Sequence, residues 1–138
     1  MTVIVTDAGF AADDFDGTFT PLADLAANDV DGEAVDLASN ADPAALAGRL
    51  DRILAIRIDF PSFSDGRGFT IACRLRHLGF TGRLRAKGHV IADQYAMARR
   101  AGFDEVEISD DLAARQPAEQ WLARANWRAH DYQSRLRA

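Results

Sequence analysis

The sequence predicts an α/β fold: successive right-handed βα units with a mainly parallel, curled or barrel-like sheet and helices mainly on one face. Three observations predict it. From residue 53 onward, strand-like and helix-like segments alternate. Both helix-like segments end in Gly-Phe (Leu78-Gly79-Phe80 and Ala101-Gly102-Phe103), and a strand-like segment follows each, giving an α–turn–β repeat of about 23 residues. The strand-like segments also alternate charged with apolar residues, which puts each charged set on one face.

Taken in order, the β-branched run Thr2 to Thr6 reads as a strand or hairpin arm. Residues 7–20, rich in Asp, Gly and Thr, read as loop. Pro21 before Leu22, Leu25 and Ala26 starts a short helix, since proline suits a first helical turn. Ala34 to Leu37 is a short strand. Asp42 caps a helix over Ala44 to Asp51, with Pro43 at its first position.

The regular portion then runs Ile53 to Phe60 (strand), Gly68 to Leu78 (helix), Arg83 to Lys87 (strand), Val90 to Ala101 (helix) and Glu105 to Ile108 (strand). Glycine after each helix supplies the left-handed conformation that ends it, and phenylalanine folds back onto the last turn. Asp110 to Ala138 reads as one long helix from about Pro117, with Trp121, Leu122, Ala125 and Trp127 inward. One domain is expected over 1–138: an acidic N-terminal segment (residues 1–50), a core (residues 51–109) and a C-terminal helix (residues 110–138).

Net charge is −5, which disfavours a general nucleic-acid binder. The charge is unevenly spread. Residues 1–48 hold ten acids and no Lys or Arg, while the remainder holds all 16 bases. The acidic segment is therefore expected to lie against the basic remainder, or to border a basic surface that attracts an anionic ligand. Arg83, Arg85 and Lys87 beside strands carrying Asp59 and Glu105/Glu107 predict cross-strand ion pairs on a charged concave face. That face is expected to stay open to water, to be a functional interior, or to be hidden by self-association into a homo-oligomer.

No apolar run approaches a membrane span, and Asp7, Asp13 and Asp14 contradict a secretion signal, so the chain reads as cytoplasmic with no membrane partner. The single cysteine, Cys73, excludes an internal disulfide and cysteine-ligated iron–sulfur clusters. Its helical neighbours Ile71, Ala72 and Leu75 make it a core residue. His77, His89 and His130 are too scattered for a zinc site, so no metal is expected.

Ligands of parallel α/β sheets collect beyond the carboxyl ends of the strands. The first loop there, Phe60 to Thr70, offers Asp65, Gly66, Arg67, Gly68 and Thr70. Free N–H groups at a helix start and an arginine fork favour a small anion, to which Arg85 could contribute. Asp65 can equally cap the helix and pair with Arg67. The position that would complete a dinucleotide fingerprint is Ile71, and Gly-Lys-Ser/Thr is absent, so no cofactor is expected. The second loop presents Gly88, His89, Asp93 and Gln94, with His89 as a base or hydrogen-bond donor or as a packed histidine. Ser109-Asp110-Asp111 reads as a helix cap.

Phe60-Pro61-x-Phe63-x-Asp65-Gly66-Arg67-Gly68-Phe69-Thr70-x-Ala72, then Leu75-Arg76, Gly79, Gly82, Leu84-Arg85-Ala86, Gly88-x-Val90-x-x-Asp93-Gln94 and Gly102-Phe103-Asp104, resembles the bacterial domain-of-unknown-function family 934 over residues 51–108. Members are described, from gene neighbourhood, as oxidoreductases or accessory proteins in sulfite reduction. His89 departs from the family pattern. The resemblance implies a protein accessory to assimilatory sulfite or sulfate reduction. It would bind a small oxyanion or adenylated sulfur compound, or dock on sulfite reductase. The alternatives are an oxidoreductase acting on a small anionic metabolite through Asp65, Arg67, Asp93 and His89, and a structural interaction module.

Overall fold

The computed structural model describes residues 2–15, 17–24 and 33–127. Its strands are β1 (Thr2–Thr6), β2 (Gly9–Ala11), β3 (Phe19–Pro21), β4 (Glu33–Leu37), β5 (Ile53–Phe60), β6 (Arg83–Gly88) and β7 (Glu105–Ser109). They form one mixed sheet in the order β2-β1-β7-β6-β5-β4-β3. β3 through β7 are mutually parallel, whereas β1 runs antiparallel to both β2 and β7. The sheet does not close into a barrel: β2 and β3 are its free edges.

The helices are α1 (Arg67–His77), α2 (Tyr95–Ala101), α3 (Asp110–Arg115) and α4 (Ala118–Leu122). Ile71, Ala72 and Leu75 of α1, Tyr95 and Ala98 of α2, Leu112 and Trp121 form one apolar cluster with Val35, Ile56, Ile58, Phe60, Leu84, Ala86, Val106 and Ile108 of the strands. Those of β5, β6 and β7 share even parity, as alternation requires, and Val35 of β4 stands opposite Ile56 among them. Burying a Leu, Ile or Phe contributes about 1.5–3 kcal/mol, so this layer dominates stability.

The opposite parity carries the charges. Arg85, Glu105 and Glu107 are 1 %, 5 % and 4 % exposed. Arg85 bonds Glu105 at 2.5 Å and Glu107 at 2.9 Å, and Arg57 spans Asp36 at 2.7 Å and Glu107 at 3.1 Å. The expected cross-strand pairs to Glu105 and Glu107 are therefore present, and the middle of the face is covered, while Asp59 at its end stays exposed. Asp13, Asp14 and Phe19 cover it: Asp13 pairs with Arg85, Asp14 pairs with Arg83, and the Phe19 ring lies 4.2 Å from the Arg57 guanidinium carbon. A buried arginine is tolerable only with its charge and donors matched, and here they are.

The acidic N-terminal segment does lie against the basic remainder. Asp7 pairs with Arg99 at 3.2 Å, beside Tyr95, whose hydroxyl donates to Asp7 at 2.6 Å.

Both Gly-Phe turns end their helices as expected, with Gly79 at φ +104° and Gly102 at φ +115°. Arg76 ties the two turns together by donating to the carbonyls of Phe80, Gly82 and Gly102. Other expectations fail. The helix over Ala44 to Asp51 is two 3-10 turns, Pro43–Leu46 and Leu50–Arg52, because Gly48 at φ +83° breaks it; Asp42 does cap the first, accepting from Ala44 N–H at 3.0 Å. Val90 to Ala101 begins as a 3-10 turn, Ala92–Gln94, before α2.

The C-terminal helix does start at Pro117, as α4, but α4 ends at Leu122, and a separate helix, α3, precedes it across Gln116-Pro117. A residue before proline is pushed out of the helical region, and Gln116 has ψ 82°. Trp121 is buried but Leu122 is exposed; residues 128–138 of the expected helix, and Leu25 and Ala26 of the first one, lie outside the described residues. Cys73 is exposed on α1, because Ile71, Ala72 and Leu75 already fill the inward face. No helix among the described residues is long and apolar enough to cross a membrane.

Candidate functional site

The carboxyl ends of β5, β6 and β7 open onto a cleft of about 360 Å³ lined by Phe63, Gly88, His89, Ser109, Leu112 and Arg115. Gly88 is at φ +112°, and a side chain there would meet Phe60 O at 2.8 Å, so only glycine lets β6 turn this close to β5. The turn delivers His89, whose backbone N–H and ring Nδ1 both reach Phe60 O, at 2.9 and 3.2 Å. Phe63 meets the imidazole edge-to-face at 5.0 Å. Ser109 caps α3, its Oγ accepting from Leu112 N–H at 3.1 Å. The cap therefore works as the sequence implied, and it also leaves the hydroxyl proton free.

Arg115 closes the ring of groups from the end of α3. It donates to Asp111 O within its own helix and has no ion-pair partner among the described residues. Among the described residues no acidic side chain lines this cleft.

The first loop is arranged differently. Asp65 accepts from Arg67 through the backbone N–H at 3.1 Å, Nε at 3.0 Å and Nη2 at 2.7 Å, while Nη2 also reaches Ser39. These bonds from Arg67 hold the Asp65 carboxyl down at about 2. Arg67 and Thr70 line a shallow 280 Å³ depression with Ser39, Asn40 and Arg74, but Asp65 already fills the Arg67 fork and Asp42 stands 3.6 Å from Arg74. Gly68 packs so closely on the Phe60 ring that a Cβ would approach to 2.5 Å.

The model of a family described as "Bacterial protein of unknown function (DUF934)" matches residues 34–138. The chain belongs to this family. No curated protein and no solved structure matches it. The match begins at β4 and takes in every parallel strand except β3.

Within this DUF934 chain the expected site residues divide into separate places. Arg85 lies in the buried lattice of charges, on the other face of the sheet from α1. Asp93 pairs with Arg124 at 3.0 Å and lines a different cleft, with Met97 and Arg100. Gln94 is a brace: its Oε1 accepts from Ile91 N–H, and its Nε2 donates to Phe63 O. Only Gly88 and His89 reach the cleft of β5, β6 and β7. Arg115, which sequence reasoning missed, joins them because the break at Gln116-Pro117 ends α3 beside the strand ends. That proline was the available signal.

Proposed function

We propose that the protein binds a small oxyanion in the cleft formed by Gly88, His89, Ser109 and Arg115, as a cytoplasmic accessory protein of sulfite reduction. The observation that supports the anion is Arg115. A guanidinium with no carboxylate partner among the described residues, at the mouth of a cleft that none of their acids lines, meets an oxyanion with a planar fork of donors, and Ser109 adds a hydroxyl. Arg67, in contrast, would have to give up Asp65 first. The position agrees with the general rule that ligands settle beyond the carboxyl ends of parallel strands. We also infer right-handed crossovers, because parallel neighbours follow one another in chain order from β4 to β7. The sulfur chemistry and docking on sulfite reductase rest on the family resemblance.

Calorimetric titration with sulfite, sulfate and phosphate tests the anion. Binding should fall about tenfold or more in Arg115→Ala, a loss of the order of one charge-assisted contact, and persist in Arg67→Ala. Binding that survives Arg115→Ala but disappears in Arg67→Ala would move the site to the α1 loop. No binding of any anion would end the reading. Co-purification with sulfite reductase tests docking separately.

A further inference from the structure

We infer that the cleft selects an oxyanion that still carries a proton over one that carries none. The inference rests on the oxyanion reading above and names the ligand class. It starts from Phe60 O, which takes both the backbone N–H and Nδ1 of His89. A carbonyl oxygen can only accept, so Nδ1 holds the ring proton. The neutral imidazole then presents Nε2 as a lone pair. Turning the ring over would break the Nδ1 bond and disturb the edge-to-face contact with Phe63, whose carbonyl is itself held by Gln94 at 3.1 Å. Among the described residues Nε2 has no hydrogen-bond partner.

The cleft therefore offers two kinds of donor, the Arg115 fork and the Ser109 hydroxyl, and one side-chain acceptor, His89 Nε2. Ser109 belongs with the donors because its Oγ already accepts from Leu112 N–H. A ligand bearing an O–H, such as hydrogen phosphate or hydrogen sulfite, satisfies all three. A fully deprotonated oxyanion sets its own lone pairs against Nε2 and leaves that atom unpaired. Sites built around one such hydrogen bond reject the ligand that lacks it. His89 is open to water on one side, which reduces the discrimination to about tenfold.

Inorganic phosphate and sulfate are the probes. At about pH 8, above the range where histidine ordinarily gains its proton, both are doubly charged tetrahedra, and only phosphate keeps a proton. Titration of the full chain should show phosphate binding about tenfold more tightly than sulfate, from the single added hydrogen bond. His89→Ala removes the acceptor, so the preference for phosphate over sulfate should fall to about one, whatever loss both anions share. Equal or tighter binding of sulfate in the wild type, with both anions lost in Arg115→Ala, overturns the selectivity and leaves the oxyanion site standing. A phosphate preference that His89→Ala does not change also overturns it. Binding of neither anion overturns both readings.

Discussion

Arg85 and Asp13, 72 positions apart, are joined by two parallel hydrogen bonds, Nη1 to Oδ2 at 3.0 Å and Nη2 to Oδ1 at 2.9 Å. The two ends of this pair differ in burial: Arg85 is 1 % exposed and the Asp13 side chain 38 %. Arg85→Ala would leave Glu105 and Glu107 buried with only Arg83 and Arg57 for company. It should lower unfolding free energy by about 3 kcal/mol, the lower end of the cost of breaking a buried pair. Asp13→Ala leaves those contacts intact and should cost no more than about 1 kcal/mol, because water screens a partly exposed carboxylate. Urea denaturation of both variants gives the comparison; equal losses would mean that the strap and the lattice stand or fall together.

Asp65 and Arg67 predict an acid titration. The folded carboxyl is held at about 2 against an ordinary 3.8, chiefly by the side-chain bonds from Arg67. A depressed folded value stabilises the native state above the ordinary value and is lost as pH falls from 3.8 toward about 2. In Arg67→Ala the Asp65 carboxyl should move up toward 3.8 by carbon NMR while the backbone N–H of residue 67 keeps it below, and stability should fall less steeply across that interval. An unchanged Asp65 titration would remove Arg67 as the cause.

Gly88→Ala forces a side chain into a left-handed backbone, 2.8 Å from Phe60 O. The strain should cost about 1–3 kcal/mol by thermal denaturation. Because Phe60 O also anchors His89, phosphate binding should weaken by more than the stability loss alone explains.

Tyr95 donates to Asp7 at 2.6 Å, and burial raises its phenol above the ordinary 10.0. A raised phenol value means the unfolded chain ionises first, so this stabilisation is present below pH 10.0 and declines as pH climbs through it. Tyr95→Phe should cost about 1.5 kcal/mol near neutral pH, the net value of one hydrogen bond to a charged group at its lower end. It should also flatten the alkaline decline of the thermal midpoint.

Period-two alternation made the parallel core legible: Arg85, Glu105 and Glu107 fall together because successive strand residues point to opposite faces. The Gly-Phe turns were legible because only glycine closes a helix at positive φ without strain. The cover was not. That Asp13 and Phe19 would lie over Arg85 and Arg57 depends on contacts far apart in sequence, within a segment whose own residues read only as loop. For the candidate site, strand-end placement singled out Gly88 and His89, whereas Arg67 looked free until its carboxylate neighbour was seen to fill it. Arg115 stood just before the expected helix start at Pro117, and that proline was the one local sign of a helix end at the strand ends.

β1 pairs with β7 from Thr2 opposite Ser109 to Val5 opposite Val106, so one strand is synthesised about a hundred residues before the strand it needs. Until β7 emerges, β1 has only β2 beside it and its other edge is open, and the acidic segment that follows has no completed charge lattice to settle on. Loop closure over such a span is entropically slow, and long-range pairing of this kind lengthens folding times. During synthesis the nascent chain therefore passes through an interval in which β4, β5 and β6 are complete while Arg83 and Arg85 still lack Glu105 and Glu107, the form in which a chaperone would find it.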